Sequence, residues 1–166
     1  MPAQVKIESG RGSGTGTWTE VSTVRFRMDD SDAANTTAPL VKPTGSATTY
    51  SFEKVFRLNV TTGPSNSLTN LRFHRIGTMP TGITDAYGTR TQAQGFATPV
   101  GTQSSIATTT VPTSAGTGLL AVDNGPFNSG STGQYGPYIY VQWAVTSSAT
   151  AGTTAPVTYR WTFDES

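Results

Sequence analysis

The sequence has no cysteine and a single histidine, His74, in 166 residues. Without cysteine there is no disulfide framework, no thiolate zinc site and no thiol nucleophile. With one histidine, any imidazole acid–base scheme has to run through His74. Charge is also scarce. Only 13% of residues are charged, 11 basic against 10 acidic, for a net charge of +1. A duplex-binding protein needs many phosphate-neutralising cations, so specific nucleic-acid recognition is not expected. Leu, Ile, Val and Phe together supply 30 of the 166 residues, a share low enough to mean disorder in a highly charged chain. At near-zero net charge and 10% aromatics the chain is expected to fold, and its length suits one domain.

Long hydrophobic runs are missing too. Residues 91–122 and 124–159 carry no charge, yet Gly, Pro, Ser and Thr interrupt both, so neither reads as a membrane span. The opening Met-Pro-Ala-Gln-Val-Lys-Ile-Glu lacks a basic segment followed by an apolar run, and no signal peptide is expected.

What the chain does have is 31 Thr, 16 Ser and 18 Gly, with period-two alternation. Val24, Phe26 and Met28 alternate with Thr23, Arg25 and Arg27. Tyr50, Phe52, Phe56, Leu58 and Val60 share one parity, with Lys54 the exception; Leu71 and Phe73, then Ile83 and Tyr87, follow. Ile139, Val141, Trp143 and Val145 occupy one face of a strand whose other face carries Tyr138, Tyr140, Gln142 and Ala144. The last run sets Val157, Tyr159, Trp161 and Phe163 inward. Turn chemistry separates these runs, as in Gly63-Pro64-Ser65-Asn66, Asn124-Gly125-Pro126 and Gly136-Pro137. With weaker segments near 5–7, 17–21, 106–111 and 119–122, the count reaches eight or nine strands. The expected fold is all-β, an antiparallel β-sandwich of immunoglobulin-like or jelly-roll-like type with long Thr/Ser/Gly-rich loops. Trp143 and Trp161 are expected to pack together between the sheets.

Residues 1–20 are read as an N-terminal strand and Gly-rich arm, and residues 21–166 as a single sandwich domain. The arm centres on Ser-Gly-Arg-Gly-Ser-Gly-Thr-Gly at 9–16, too rich in glycine to pack by itself. It lacks the Gly-Lys-Ser/Thr and the strand–loop–helix setting of a phosphate-binding loop. Residues 29–49 and 92–118 read as long loops, the latter meandering over a surface.

The search for chemistry is mostly negative. His74 sits in Leu71-Arg72-Phe73-His74-Arg75 and reads as an exposed or interfacial strand residue. There is no Gly-x-Ser-x-Gly elbow. Asp29-Asp30-Ser31-Asp32 lacks the ligand spacing, the glycine and the closing glutamate of a calcium loop, and reads as a solvated strand end. Glu8, Glu20, Glu53, Asp85 and Asp123 are isolated, so paired carboxylates across a cleft are not indicated. The sequons at Asn35 and Asn59 read as chance. No catalytic residue, cofactor or metal site is assigned, and the chain is not expected to be an enzyme.

The distribution of charge is more telling. The first 90 residues hold 17 charged side chains and the last 76 hold four: Asp123, Arg160, Asp164 and Glu165. Free monomers keep soluble with charge, whereas interface cores are depleted in it and enriched in tyrosine. This points to a protein that works in an assembly. The candidate subunit contacts are the Tyr138, Tyr140 and Gln142 face, Tyr135 in the adjoining loop, and Arg11 in the arm.

Three segments carry a resemblance. The run Phe56-Arg57-Leu58-Asn59-Val60-Thr61-Thr62-Gly63-Pro64-Ser65-Asn66-Ser67-Leu68-Thr69-Asn70-Leu71-Arg72-Phe73 is similar to segments of tailed-bacteriophage virion proteins. So are Gly136-Pro137-Tyr138-Ile139-Tyr140-Val141-Gln142-Trp143-Ala144-Val145 and Thr158-Tyr159-Arg160-Trp161-Thr162-Phe163-Asp164-Glu165. None contains a catalytic motif. The resemblance implies a β-sandwich subunit of the virion: first a capsid decoration (cement) protein, second a tail, connector or adaptor component. The implied partners are the major capsid protein or other virion subunits, with the capsid surface as location. Closed symmetry favours a homo-oligomer, a trimer at local threefold positions. The alternative from another class is a carbohydrate-binding or receptor-recognition module, with Tyr87, Tyr135, Tyr138 and Tyr140 stacking on sugar rings.

Overall fold

The computed structural model describes residues 2–31, 38–121, 126–150, 152 and 156–166. Asp32, the Asn35 sequon, Asp123 and the Asn124-Gly125 turn lie outside the described residues. The described chain is an antiparallel β-sandwich of ten strands in two sheets. One sheet has seven strands. Its path runs β2 (Thr17–Glu20), β1 (Gln4–Arg11), β4 (Lys54–Thr62), β9 (Gly133–Thr146), β6 (Ile83–Arg90) and β7 (Thr109–Thr110), with β3 (Thr48–Tyr50) also paired to β9. The other has three, in the order β10 (Thr158–Glu165), β5 (Ser67–Ile76) and β8 (Phe127–Asn128).

The alternation in the sequence becomes the space between the sheets. Phe56, Leu58 and Val60 of β4 and Ile139 and Val141 of β9 face Leu68, Leu71 and Phe73 of β5 in one buried cluster. Phe73 is at its centre, 4.8 Å from the Trp161 ring and 5.7 Å from the rings of Tyr87 and Tyr159. Each fully buried side chain of this size contributes about 1.5–3 kcal/mol relative to exposure.

Tyr135 belongs to this interior. Opposite Arg57, β9 carries surplus residues around Gly136-Pro137, between the pairs Phe56↔Ile139 and Leu58↔Tyr135. Proline has no N–H to give the ladder, so a bulge falls there. Because the surplus is even, Tyr135 keeps the parity of Ile139 and faces inward, its ring 5.3 Å from Phe127.

Four expectations need correction. Residues 24–28 form no ladder, although Val24 and Phe26 still pack inward, Phe26 stacking on Trp143 at 4.6 Å. The N-terminal strand is present as β1, but the glycine-rich stretch 9–16 is no separate arm. Residues 9–11 complete β1, which pairs with β4 from Gln4↔Thr62 to Gly10↔Val55, and residues 12–16 turn the chain into β2, which pairs back on β1. The absence of a side chain at Gly10 lets the Trp18 indole lie against its backbone. Trp143 and Trp161 stand on strands of different sheets and take different partners: Phe26 for Trp143, Phe56 and Phe73 for Trp161. His74 is buried beneath the 112–118 segment, which bonds along β5 through Phe73 N–H to Gly118 O (2.8 Å) and Arg75 N–H to Pro112 O (2.7 Å).

Candidate functional site

The outer face of the seven-stranded sheet carries Val55, Tyr138, Tyr140 and Gln142. Sequence reasoning left this face open for partners. In the fold, residues 91–108 lie across it as a third layer before the chain rejoins the sheet as β7. Gly88 admits them, since a Cβ there would collide with the Ile106 carbonyl. Ala107 then packs on Val55 and Tyr140, with Phe96, Ala97 and Ile106 beside them.

Directed polar bonds hold the layer down. The Tyr140 hydroxyl accepts from Ala97 N–H at 2.6 Å and donates to Ala97 O at 3.1 Å. Gln142 accepts from Ser104 N–H at 2.9 Å, and its Nε2 donates to Thr102 O at 2.7 Å and to Ser51 O at 2.8 Å. The buried Glu53 carboxylate accepts from Val100 N–H at 3.0 Å and from the Ser104 hydroxyl, while Glu53 N–H donates to Val100 O at 2.9 Å. Burial raises the Glu53 pKa above its ordinary value, against the two hydrogen bonds that favour the carboxylate.

The expected contact residues are therefore placed as follows. Tyr140, Gln142 and Tyr135 are buried inside the chain, at 0%, 3% and 1% exposure, and their bonds and packing are internal. Tyr138 is half-buried, stacked on Trp18 at 5.5 Å and edge-on to Phe96. Arg11 is half-buried at the end of β1, opposite Thr17. The structure brings Tyr138, Tyr140 and Gln142 together beneath the layer, and places Tyr135 and Arg11 elsewhere. The four tyrosines of the sugar-stacking alternative share no exposed face, since Tyr87 and Tyr135 turn into the core.

What reaches solvent instead is the back of the layer. Thr98, Val100, Thr102, Gln103, Ser105 and Thr108 are exposed there. No Asp, Glu, Lys, Arg or His occurs from residue 91 to 121 or from 126 to 150. The nearest cation from β6, Arg90, donates to the carbonyls of Gln94 and Gly95 at 2.7 and 3.1 Å. The sequence reads residues 92–118 as a loop meandering over a surface; that they cover the Tyr138, Tyr140 and Gln142 face was missed, because these residues lack periodicity. The usable signal was the double-sided apolar and aromatic character of β9, which requires a cover on both faces.

Buried ionisable groups also occur on both faces of β5. Between the sheets, Arg75 pairs with Asp85 at 3.3 Å, Tyr159 donates to Asp85 at 2.9 Å, and Trp143 Nε1 donates to Tyr159 at 2.7 Å. Burial raises the Asp85 pKa, opposed by Tyr159 and Arg75, and burial also raises that of Tyr159. With Asp85 3% exposed and Arg75 7%, this network ties β5, β6, β9 and β10 together out of reach of a substrate. His74 faces Arg160 across the ladder, and burial, then Arg160, lowers its pKa. Its Nδ1 has no hydrogen-bond partner. A hollow of about 310 Å³ is lined by Tyr87, Thr89, Ile106, Thr109, Leu119 and Leu120 among others, with no acid–base pair in it. Among the described residues, no three His, Asp or Glu side chains gather as a metal site, and no helix is long and apolar enough to cross a membrane. Comparison with protein-family models, with curated proteins and with solved structures returns no match.

Proposed function

We propose that this chain is a non-enzymatic structural protein of a bacteriophage virion, a capsid decoration protein that bridges neighbouring capsid subunits and stabilises the head. The observation that carries the reading is the uncharged outer layer fastened over the large sheet. Hydroxyl and amide side chains lose less on desolvation than Lys or Glu, so such a surface suits burial against protein. The resemblance of three segments to phage virion proteins supports the same reading. All three run along the sandwich scaffold, in β4, β5, β9 and β10. A rigid sandwich with many modest contacts serves a shell under internal pressure, because linked weak sites multiply avidity. A tail, connector or adaptor position is the second place in the particle for the same surface.

Electron microscopy of purified particles carrying the tagged chain tests the assignment. Density over the head lattice, with raised thermal stability of decorated heads, is the expected result. Density confined to the tail moves the chain to the adaptor class, and absence from the particle overturns the proposal.

A further inference from the structure

We propose that the outer layer, residues 91–108, is the face on which a second copy of this chain docks. The chemistry of the exposed side chains selects that occupant. Thr98, Thr102, Gln103, Ser105 and Thr108 each carry both a donor and an acceptor, so the surface is complementary in hydrogen bonding to a copy of itself. A face of lysines or glutamates would meet its own copy with like charges, at a large cost. Here there is no charge to repel, and exposed Val100 adds an apolar contact within the patch.

The cation bonded to the start of the layer, Arg90, is engaged with the carbonyls of Gln94 and Gly95, and the exposed side chains from Thr98 to Thr108 carry no charge. The layer is also rigid before it binds. Glu53, Tyr140 and Gln142 fix Val100, Ala97, Thr102 and Ser104 to the sheet, so docking has little chain to order. A stable pairing takes about 800 Å² from each partner, near a tenth of the chain's 8393 Å² surface.

The inference deepens the assembly reading of the same layer, yet it requires self-association alone and no capsid. Analytical ultracentrifugation of the full chain tests it. The wild type should sediment as an oligomer. The double variant Thr102→Lys with Thr108→Lys should associate about tenfold more weakly or not at all, with unchanged circular dichroism and melting temperature. A matching Thr102→Glu, Thr108→Glu chain, mixed with the lysine variant, should restore association. Thr158→Lys, on exposed β10 of the other sheet, should leave it unaffected. A wild type that is monomeric at every concentration, or an oligomer indifferent to charges in the layer, overturns the inference. Decoration of heads by such a monomer would leave the functional proposal standing, whereas an oligomer that ignores heads would overturn that proposal and leave self-pairing intact.

Discussion

The two faces of the seven-stranded sheet are both covered, but by different physics. The inner face presents Phe56, Leu58, Val60, Ile139 and Val141 to another sheet, and what holds it is area. The outer face presents Glu53, Tyr140 and Gln142 to a segment with almost no regular structure, and there a handful of directed bonds joins a small apolar cluster around Val55, Tyr140 and Ala107. Hydrophobic burial is non-directional and tolerates local change of shape. A hydrogen bond removed from a buried pair leaves its partner unsatisfied, at a cost of about 1–3 kcal/mol. The inner face therefore stores the stability of the fold. The outer face decides which residues form the exposed surface.

Substitutions on each side should separate these roles. The largest effect is expected from Phe73→Ala, which empties the centre of the aromatic cluster and should cost about 3–5 kcal/mol in denaturant unfolding. Gln142→Ala should cost about 2–3 kcal/mol, since it strands Ser104 N–H and the carbonyls of Thr102 and Ser51. Its signature differs: hydrogen exchange should accelerate at Ser104 and Val100 while β5 amides stay protected. If β5 loses protection equally, layer and core are one cooperative unit and the distinction fails.

Arg57→Ala acts at the rim of the outer face, beyond the layer. It removes an ion pair to Glu8 at 2.6 Å and a guanidinium stacked 4.2 Å above the Trp18 ring. About 1 kcal/mol is expected, read by denaturant unfolding, with the Glu8 share reduced by salt.

The smallest effect is pH-dependent. Burial raises the Glu53 pKa in the folded chain, so this group's contribution is complete below about 4.5, its ordinary value, and is lost as pH rises through the folded value. Glu53→Gln should therefore raise the melting temperature at neutral pH, and the gain should disappear below pH 4.5. A variant less stable at neutral pH would mean that the charged carboxylate is required to clamp Val100 and Ser104.

Much of this architecture was legible in advance. Period-two alternation located β4, β5, β9 and β10, because a strand buried on one face must alternate. The same parity correctly turned Ile139, Val141, Trp143 and Val145 inward. It should have turned Tyr135 inward too, since the bulge at Gly136-Pro137 adds an even number of residues. Alternation alone misled at Val24, Phe26 and Met28. The pattern fixes which side chains point inward, but a ladder needs a run of backbone bonds to one neighbour. Among the described residues this segment bonds singly to two: Arg27 O accepts from Phe52 N–H at 2.6 Å, and Met28 N–H donates to Ala38 O at 3.0 Å. The glycines at 9–16 misled in the opposite direction: Gly10 lies within a strand because an indole needs its surface.

By itself the sequence determined the all-β class, the inward residues of the main strands and the neutrality of the C-terminal half. These are local or compositional properties, written in the period of the chain and in its count of charges. Only the tertiary structure decided that tyrosines and a glutamine suited to an interface would instead anchor an internal cover, and that threonines from a low-complexity stretch would become the outer surface. That decision depends on contacts between residues some forty to fifty positions apart, such as Glu53 with Val100 and Tyr140 with Ala97, and no local pattern encodes which distant segment a face will meet.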